Sequence, residues 1–550
     1  MTDTIKVNVM GEDKEIIKGT TFLELSKDYQ DKFKNPILLA KAGKEYKELR
    51  DQINTSCDIT FLDLKEKMAN RVYVNGLIYL TIYAFDQLFG KKNTLRVKHS
   101  IDKGIYIETS SKIKEEDINN VIIEMKKIVN QDKEIERLHA TRLDAIEYFE
   151  KIGNPSKADI MKYNTNTYVT LYKLGNMYNF FFTLMPHSTK VFQSFDLKYL
   201  NDHGFVLLFE TTYMLNGIKE YSHHPQMFEV FKEYQDWAKI MNIHNVANLN
   251  EKVSNASIGN LIRIDETLQS NRLLNVAKAI YKNKAQKRIV LISGPSSSGK
   301  TTTTNKLSMY LSSFGINPKV ISMDDYYLDK DKIPLDKNGK KDYENLTALN
   351  LDLFDKQVKQ LLEGQEINIP TYNFILGTPE FSKSMALGEN EILLIEGIHA
   401  LNPNILKSIS RERKFKIYVS PLTGLNLDDH NRISGSDNRL LRRIVRDNRT
   451  RGHTVDDTLK AWKAVRQGEE NYVFPYQDEA DYTFNTALIY EQGVLKTYVE
   501  PLLYSVNDNS SYYEEAKRLL NVLKMFLPIS SEDVPSDSVL REFIGRSCFK

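Results

Sequence analysis

The sequence predicts an α/β protein with a doubly wound parallel sheet in its C-terminal half, preceded by a β-grasp module and an α+β region. Three observations lead there. The run "KRIVLIS" is compact and apolar, as a buried parallel strand requires, and a glycine-rich loop and an amphipathic helix follow it directly. Residues 4–63 alternate in short β-type runs, "TIKVNVM", "EIIKGTTF" and "DITFLDL", around one helical stretch near Leu23–Tyr29. Between these two regions, helical and strand periods mix.

The elements follow in order. In residues 68–235, "GLIYLTIYAFDQLFG" repeats apolar residues at helical spacing, "HSIDKGIYIET" predicts strand and turn, and "RLDAIEYFEKIG" predicts an amphipathic helix closed by Gly153. Residues 236–285 are helical and polar, with "NLNEKVSNASIGN" as a hinge. A second β/α region opens at Lys287, and the tail from 531 predicts loop followed by one helical turn. The division is thus 1–65, 66–235, a 236–285 helical linker, 286–530, and a 531–550 tail.

Composition narrows the function classes. The 550 residues are 41% hydrophobic, and 75 Lys+Arg nearly cancel 73 Asp+Glu, so no global positive field gathers nucleic acid. Cys57 and Cys548 stand at opposite ends and make neither a disulfide framework nor a metal knuckle. No apolar run reaches membrane-spanning length and the N-terminus lacks a signal-peptide layout, so the expected location is cytoplasmic, with no membrane partner.

The chemistry concentrates after "KRIVLIS". Gly294-Pro-Ser296-Ser297-Ser298-Gly299-Lys300-Thr301 satisfies G-x-x-x-x-G-K-[ST], and Thr302 continues into a helix that ends at Gly315. Such a loop turns backbone N–H groups onto phosphate oxygens at a positive helix end. Lys300 then serves the β- and γ-phosphates of ATP and the Thr301 hydroxyl serves Mg²⁺. The next strand, "KVISM", ends in Asp324-Asp325-Tyr326-Tyr327, where a carboxylate either takes a proton from an attacking hydroxyl or merely caps a turn. "EILLIEG" ends in Glu396, the expected second acidic metal ligand. In "DNRLLRRIVRDNRTRGH", Arg439, Arg442, Arg443 and Arg446 recur at helical spacing opposite an apolar stripe, and Arg449 and Arg451 continue the basic side. Seven arginines and no lysine between Arg432 and Arg451 favour phosphate neutralisation over an ordinary solvated face.

Taken together, "GPSSSGKTT", "SMDDYY", "KDYEN", "IPTYNF", "LLIEGIHAL" and "RLLRRIVRDNRTRGH" resemble the uridine kinase and phosphoribulokinase family of P-loop kinases across residues 287–490. The resemblance implies an ATP- and Mg²⁺-dependent phosphotransferase with Asp324 as the general base for a ribose 5′-hydroxyl. It also implies Glu344 on the sugar hydroxyls, Tyr327, Tyr372 and Phe374 around the base, and Arg446 and Arg451 as lid arginines. "TIKVNVMGEDKEIIKGTTFLELS" resembles a TGS domain, and "SIDKGIYIET", "DAIEYFEKIGNPSKADIMK" and "LYKLGNMYNFFFTLMPH" resemble the editing domain of threonyl-tRNA synthetases.

Departures shape the expectation. The family's base-reading histidine falls at Gly377 and its pyrimidine-reading glutamine at Ala461, so nucleoside chemistry is expected without strict uridine preference. The editing-like region keeps only His187, with Thr183 near the place of a cysteine, so neither zinc nor editing is expected; His223-His224 is expected to be a loop pair. Two other readings stay open: an RNA-associated or regulatory protein using its front half, and a kinase of a non-nucleoside small molecule. Homo-oligomerisation is open as well.

Overall fold

The computed structural model describes residues 3–91, 93–212, 217–222, 224–335, 339, 341–373 and 376–549. Its C-terminal part is built on a five-stranded, wholly parallel sheet. The strand order is Asn317–Ser322, Glu391–Glu396, Ile289–Ser293, Lys414–Ser420 and Tyr482–Asn485. Helices cover both faces, so the strands are apolar on both sides. Along the central strand, Ile289 and Leu291 pack with Phe354, Val358 and Leu361 on one face. Val290 and Ile292 pack with Leu307, Leu311, Val276 and Ile280 on the other. Two lysines in the fully buried Lys414–Ser420 strand are satisfied locally. Lys414 Nζ donates to the Leu406 carbonyl at 2.8 Å, and Lys416 pairs with Glu479 at 3.0 Å.

The front half carries three smaller sheets. Residues 4–62 form a five-stranded sheet in which Thr4–Val9 and Asp58–Leu62 pair in parallel and the other pairs are antiparallel. A four-stranded antiparallel sheet, built on Gly104–Thr109 and Gly204–Phe209, and a three-stranded one flank the helix Lys67–Phe89. That helix is buried along most of its length, from Val72 through Phe85.

The 236–285 stretch is helical and belongs to the core. Ile258–Asn283 buries Leu261, Ile262, Leu273 and Val276, and the hinge motif becomes a turn after Val246–Ser254, with Ala256 at φ +59°. A second join is the segment 421–433, which inserts between the halves. Asp428 and Lys157 pair at 2.9 Å with both side chains wholly buried. Around them, Val97 N donates to the Asp429 carbonyl at 2.8 Å and Asn431 Nδ2 to the Phe180 carbonyl at 3.1 Å. Leu425, Leu427 and Ile433 share one core with Phe149 and Ile160 of the front half. Among the described residues, no helix is long and apolar enough to cross a membrane.

Candidate active site

In an open parallel sheet, ligands meet the chain outside the carboxyl ends of the strands. The candidate residues lie there: the loop after Ser293, the turn after Ser322, and Glu396 closing its strand. The loop 294–299 runs straight into the cradle helix Lys300–Ser313. At Gly294 the backbone passes so close to the neighbouring strand that a Cβ would lie 1.9 Å from the Val419 carbonyl oxygen, so only glycine fits. Ser297, at φ +59°, helps to fold the loop back on itself.

The loop's polar groups divide into satisfied and waiting ones. Lys300 Nζ donates to the Gly294 and Pro295 carbonyls at 3.0 and 3.3 Å. The amide of Ser296 donates to Glu469 Oε1 at 2.9 Å, and that of Thr302 to Glu542 Oε2 at 3.2 Å. The Ser297 and Ser298 hydroxyls are buried with no partner, and Thr301 is exposed. Buried hydroxyls and backbone amides at a helix N-terminus are donors suited to phosphate oxygens.

Opposite the loop stands Asp324, solvent-accessible in a one-turn segment, Met323–Tyr326, that follows the strand. Desolvation by its surroundings raises its carboxyl, opposed by Lys300, Arg451 and Arg446. Glu396, held by the Ser322 hydroxyl at 3.2 Å, is pushed up to about 7, first by burial and then by Asp324 and Glu542, against the pull of Lys300. Glu344 also reaches about 7, through burial and the neighbouring Glu469, with Arg443 and Lys300 pulling the other way. Two half-buried acids and three cations thus act on one exposed aspartate at the carboxyl edge of the sheet.

The arginine helix Gly435–Arg451 sorts its guanidinium groups in a way the helical spacing alone does not reveal. Arg439 and Arg442 are buried and neutralised inside the protein. Arg439 forks onto Glu469, and Arg442 Nε meets Glu491 at 2.9 Å. Arg443, Arg446 and Arg451 converge on the buried Asp447 at 3.1, 2.9 and 3.4 Å. Burial alone would raise the Asp447 carboxyl; Arg446, Arg443 and Arg451 outweigh it and lower it. Arg446 and Arg451 thereby reach the field of Asp324, while Arg443 donates to Ser296 Oγ at 2.8 Å. Arg443, which the sequence marks only as one of an arginine series, thus touches the glycine-rich loop.

Next along the chain from Asp324, Tyr327 donates to the Tyr343 carbonyl at 2.9 Å and its ring lies 5.5 Å from that of Tyr372. Tyr372 is fixed by its amide, which donates to Asp325 at 3.1 Å. Phe374, expected at the same wall, lies outside the described residues. Gly468, on the helix Val455–Tyr472, makes room for Glu344: a Cβ there would be 2.6 Å from Glu344 Cβ. Far from this cleft, Asn75 and Thr183 bond to each other, and burial drops the His187 imidazole to about 4. His224 bridges Asp102 and Asp478, whereas His223 lies outside the described residues.

Known proteins resemble the C-terminal part of the chain in sequence. Residues 289–489 match the model of the phosphoribulokinase/uridine kinase family. This segment is a P-loop kinase domain of that family. It is 29% identical over 197 residues to a uridine kinase of Staphylococcus epidermidis, covering 36% of this chain and 86% of that protein. A uridine kinase of Staphylococcus aureus is 28% identical over 194 residues, or 35% and 84% of the two chains. Two solved structures align more loosely. A possible uridine kinase from Bacillus stearothermophilus has a TM-score of 0.27 at 23% identity, over 39% of this chain and 98% of that one. A D-glycerate 3-kinase from Cryptococcus neoformans has 0.22 at 13%, over 49% and 89%. The domain is a phosphotransferase that acts on a hydroxyl acceptor.

Proposed function

We propose that the kinase domain transfers the γ-phosphate of ATP to the 5′-hydroxyl of a nucleoside. The observation that carries this reading is the position of Asp324 at the sheet's carboxyl edge within the field of Lys300, Arg451 and Arg446, beside two acids and a pair of neighbouring tyrosines. The unpartnered Ser297 and Ser298 hydroxyls fit a polyphosphate, and the exposed Thr301 hydroxyl with Glu396 fits a hard cation such as Mg²⁺. When bound, that cation would neutralise charge on the phosphates. Asp324 accepts the proton of the attacking hydroxyl, Lys300 and the two lid arginines offset charge on the transferring group, and Glu344 orients the sugar. Tyr327 and Tyr372 border the base. With Gly377 and Ala461 at the two reading positions, a purine nucleoside is accommodated as well as a pyrimidine one. Residues 1–65 and 66–235 are read as TGS-like and synthetase-editing-like modules that precede the kinase domain in the chain.

The test is transfer from γ-labelled ATP across purine and pyrimidine nucleosides, with Asp324→Asn in parallel. The expected result is transfer to at least one nucleoside and a loss of about 10²-fold or more in the variant. ATP binding without transfer to any nucleoside would overturn the acceptor assignment.

A further inference from the structure

The C-terminal tail ends on the phosphate loop. Its one-turn helix, Arg541–Ile544, brings the Glu542 carboxylate to the start of the cradle helix. There a single oxygen, Oε2, accepts both the Thr302 amide at 3.2 Å and the Thr302 hydroxyl at 2.8 Å. Val539 leans on the same loop, its Cγ1 2.5 Å from where a Cβ on Gly299 would lie. The approach is braced from two sides. Lys306 of the cradle helix pairs with Asp537 at 2.7 Å. Arg449 of the arginine helix donates to the Glu542 and Phe543 carbonyls, each at 3.0 Å.

The chemistry of this contact is that of a ligand. The amide and hydroxyl of Thr302, at a positive helix end, are donors of the kind that receive phosphate oxygens in such loops. Glu542 differs from the other carboxylate on the loop. Glu469 is neutralised by Arg439 and Arg466, whereas among the described residues no ion pair neutralises Glu542. Its charge also bears on Glu396, the candidate metal ligand, so an incoming polyphosphate meets a like charge at the place it must occupy.

We propose that Glu542 is an internal competitor for the donor: its carboxylate occupies a phosphate position on Thr302 and must withdraw before a nucleoside triphosphate seats fully. The inference rests on the donor half of the preceding reading and on nothing about the acceptor. Donor affinity is then lowered by the fraction of time the carboxylate is in place. Anything that draws the tail away from the arginine helix would raise it.

Equilibrium titration of the full chain with Mg²⁺ and the non-hydrolysable ATP analogue AMP-PNP tests this in wild type and Glu542→Gln. Thermal melting serves as the check of folding. The expected result is about tenfold tighter binding by the variant, corresponding to Thr302 being occupied about nine-tenths of the time. Unchanged or weaker binding by a folded variant would overturn the inference and make the tail a supporting wall of the donor site. If neither protein binds the nucleotide, the donor reading itself fails, which is a separate outcome. Should Glu542→Gln lose the fold, Glu542→Asp carries the same expectation, because its shorter arm withdraws the carboxylate from Thr302.

Discussion

Substituting Gly468 tests the proposed acceptor side without removing a polar group. A Cβ at this position would stand 2.6 Å from Glu344 Cβ and 2.9 Å from its Cγ. Carbon atoms in contact prefer roughly 3.5–4.0 Å, so Gly468→Ala displaces Glu344 by about 1 Å. Gly468 lies within the helix Val455–Tyr472, where alanine is otherwise favoured over glycine by about 1 kcal/mol. Overpacking costs about 1–3 kcal/mol. The fold therefore survives the change, and what moves is the carboxylate assigned to the sugar. A misplacement of about 1 Å at a positioning group lowers turnover by up to about 10²-fold. Steady-state kinetics with the acceptor and with ATP varied separately read the effect. The expected outcome is a fall of about 10–10² in kcat/KM for the acceptor with KM for ATP little changed. The ATP control matters because Glu469, the next residue, holds the Ser296 amide of the phosphate loop. Acceptor kinetics within twofold of wild type, in a protein of unchanged melting temperature, would refute the placement of Glu344.

Two further outcomes follow from the joins between the halves. Asp428→Ala leaves Lys157 wholly buried without its counter-ion, and urea denaturation should show a loss of about 3–5 kcal/mol; the double variant Lys157→Met/Asp428→Leu should recover most of it. His224 is raised above its ordinary 6.5, first by its bond to Asp102, with burial opposing and Asp478 adding. The stability it contributes is complete below 6.5 and disappears as pH rises through the higher folded value. His224→Gln should therefore lower stability by roughly 1 kcal/mol at pH 5.5 and change nothing at pH 9, as thermal melts at the two pH values would show.

The kinase sheet and its phosphate loop were legible because each rests on a local pattern: a continuous apolar strand, a glycine spacing, a helical stripe. That Asp324 and Glu396 come to the same edge as the loop was legible for a related reason, since strand ends in such sheets converge by topology. The partition of the arginines was not. Arg439 and Arg446 look alike in sequence, and only the arrival of Glu469 in three dimensions separates the buried pair that Arg439 makes from the more exposed Arg446. The packing of the 236–285 helices was hidden by their many polar residues, of which Asp265, Gln269 and Arg272 are in fact buried. Least legible was the tail: Glu542 and Thr302 are 240 residues apart, and no local period links them.

The segment 421–433 gives the front half a mechanical part in the kinase. It is anchored in the front half at Lys157, Val97 and Phe180, and it runs directly into Gly435, where the arginine helix begins. The arginine helix therefore starts from a mount that is held by another part of the chain. A kinase segment expressed alone would lose that mount, leaving Asp428 without its cation and the arginine helix free at its root. A molecule that wedged the front half away from this segment would disturb the root of the arginine helix without ever entering the cleft.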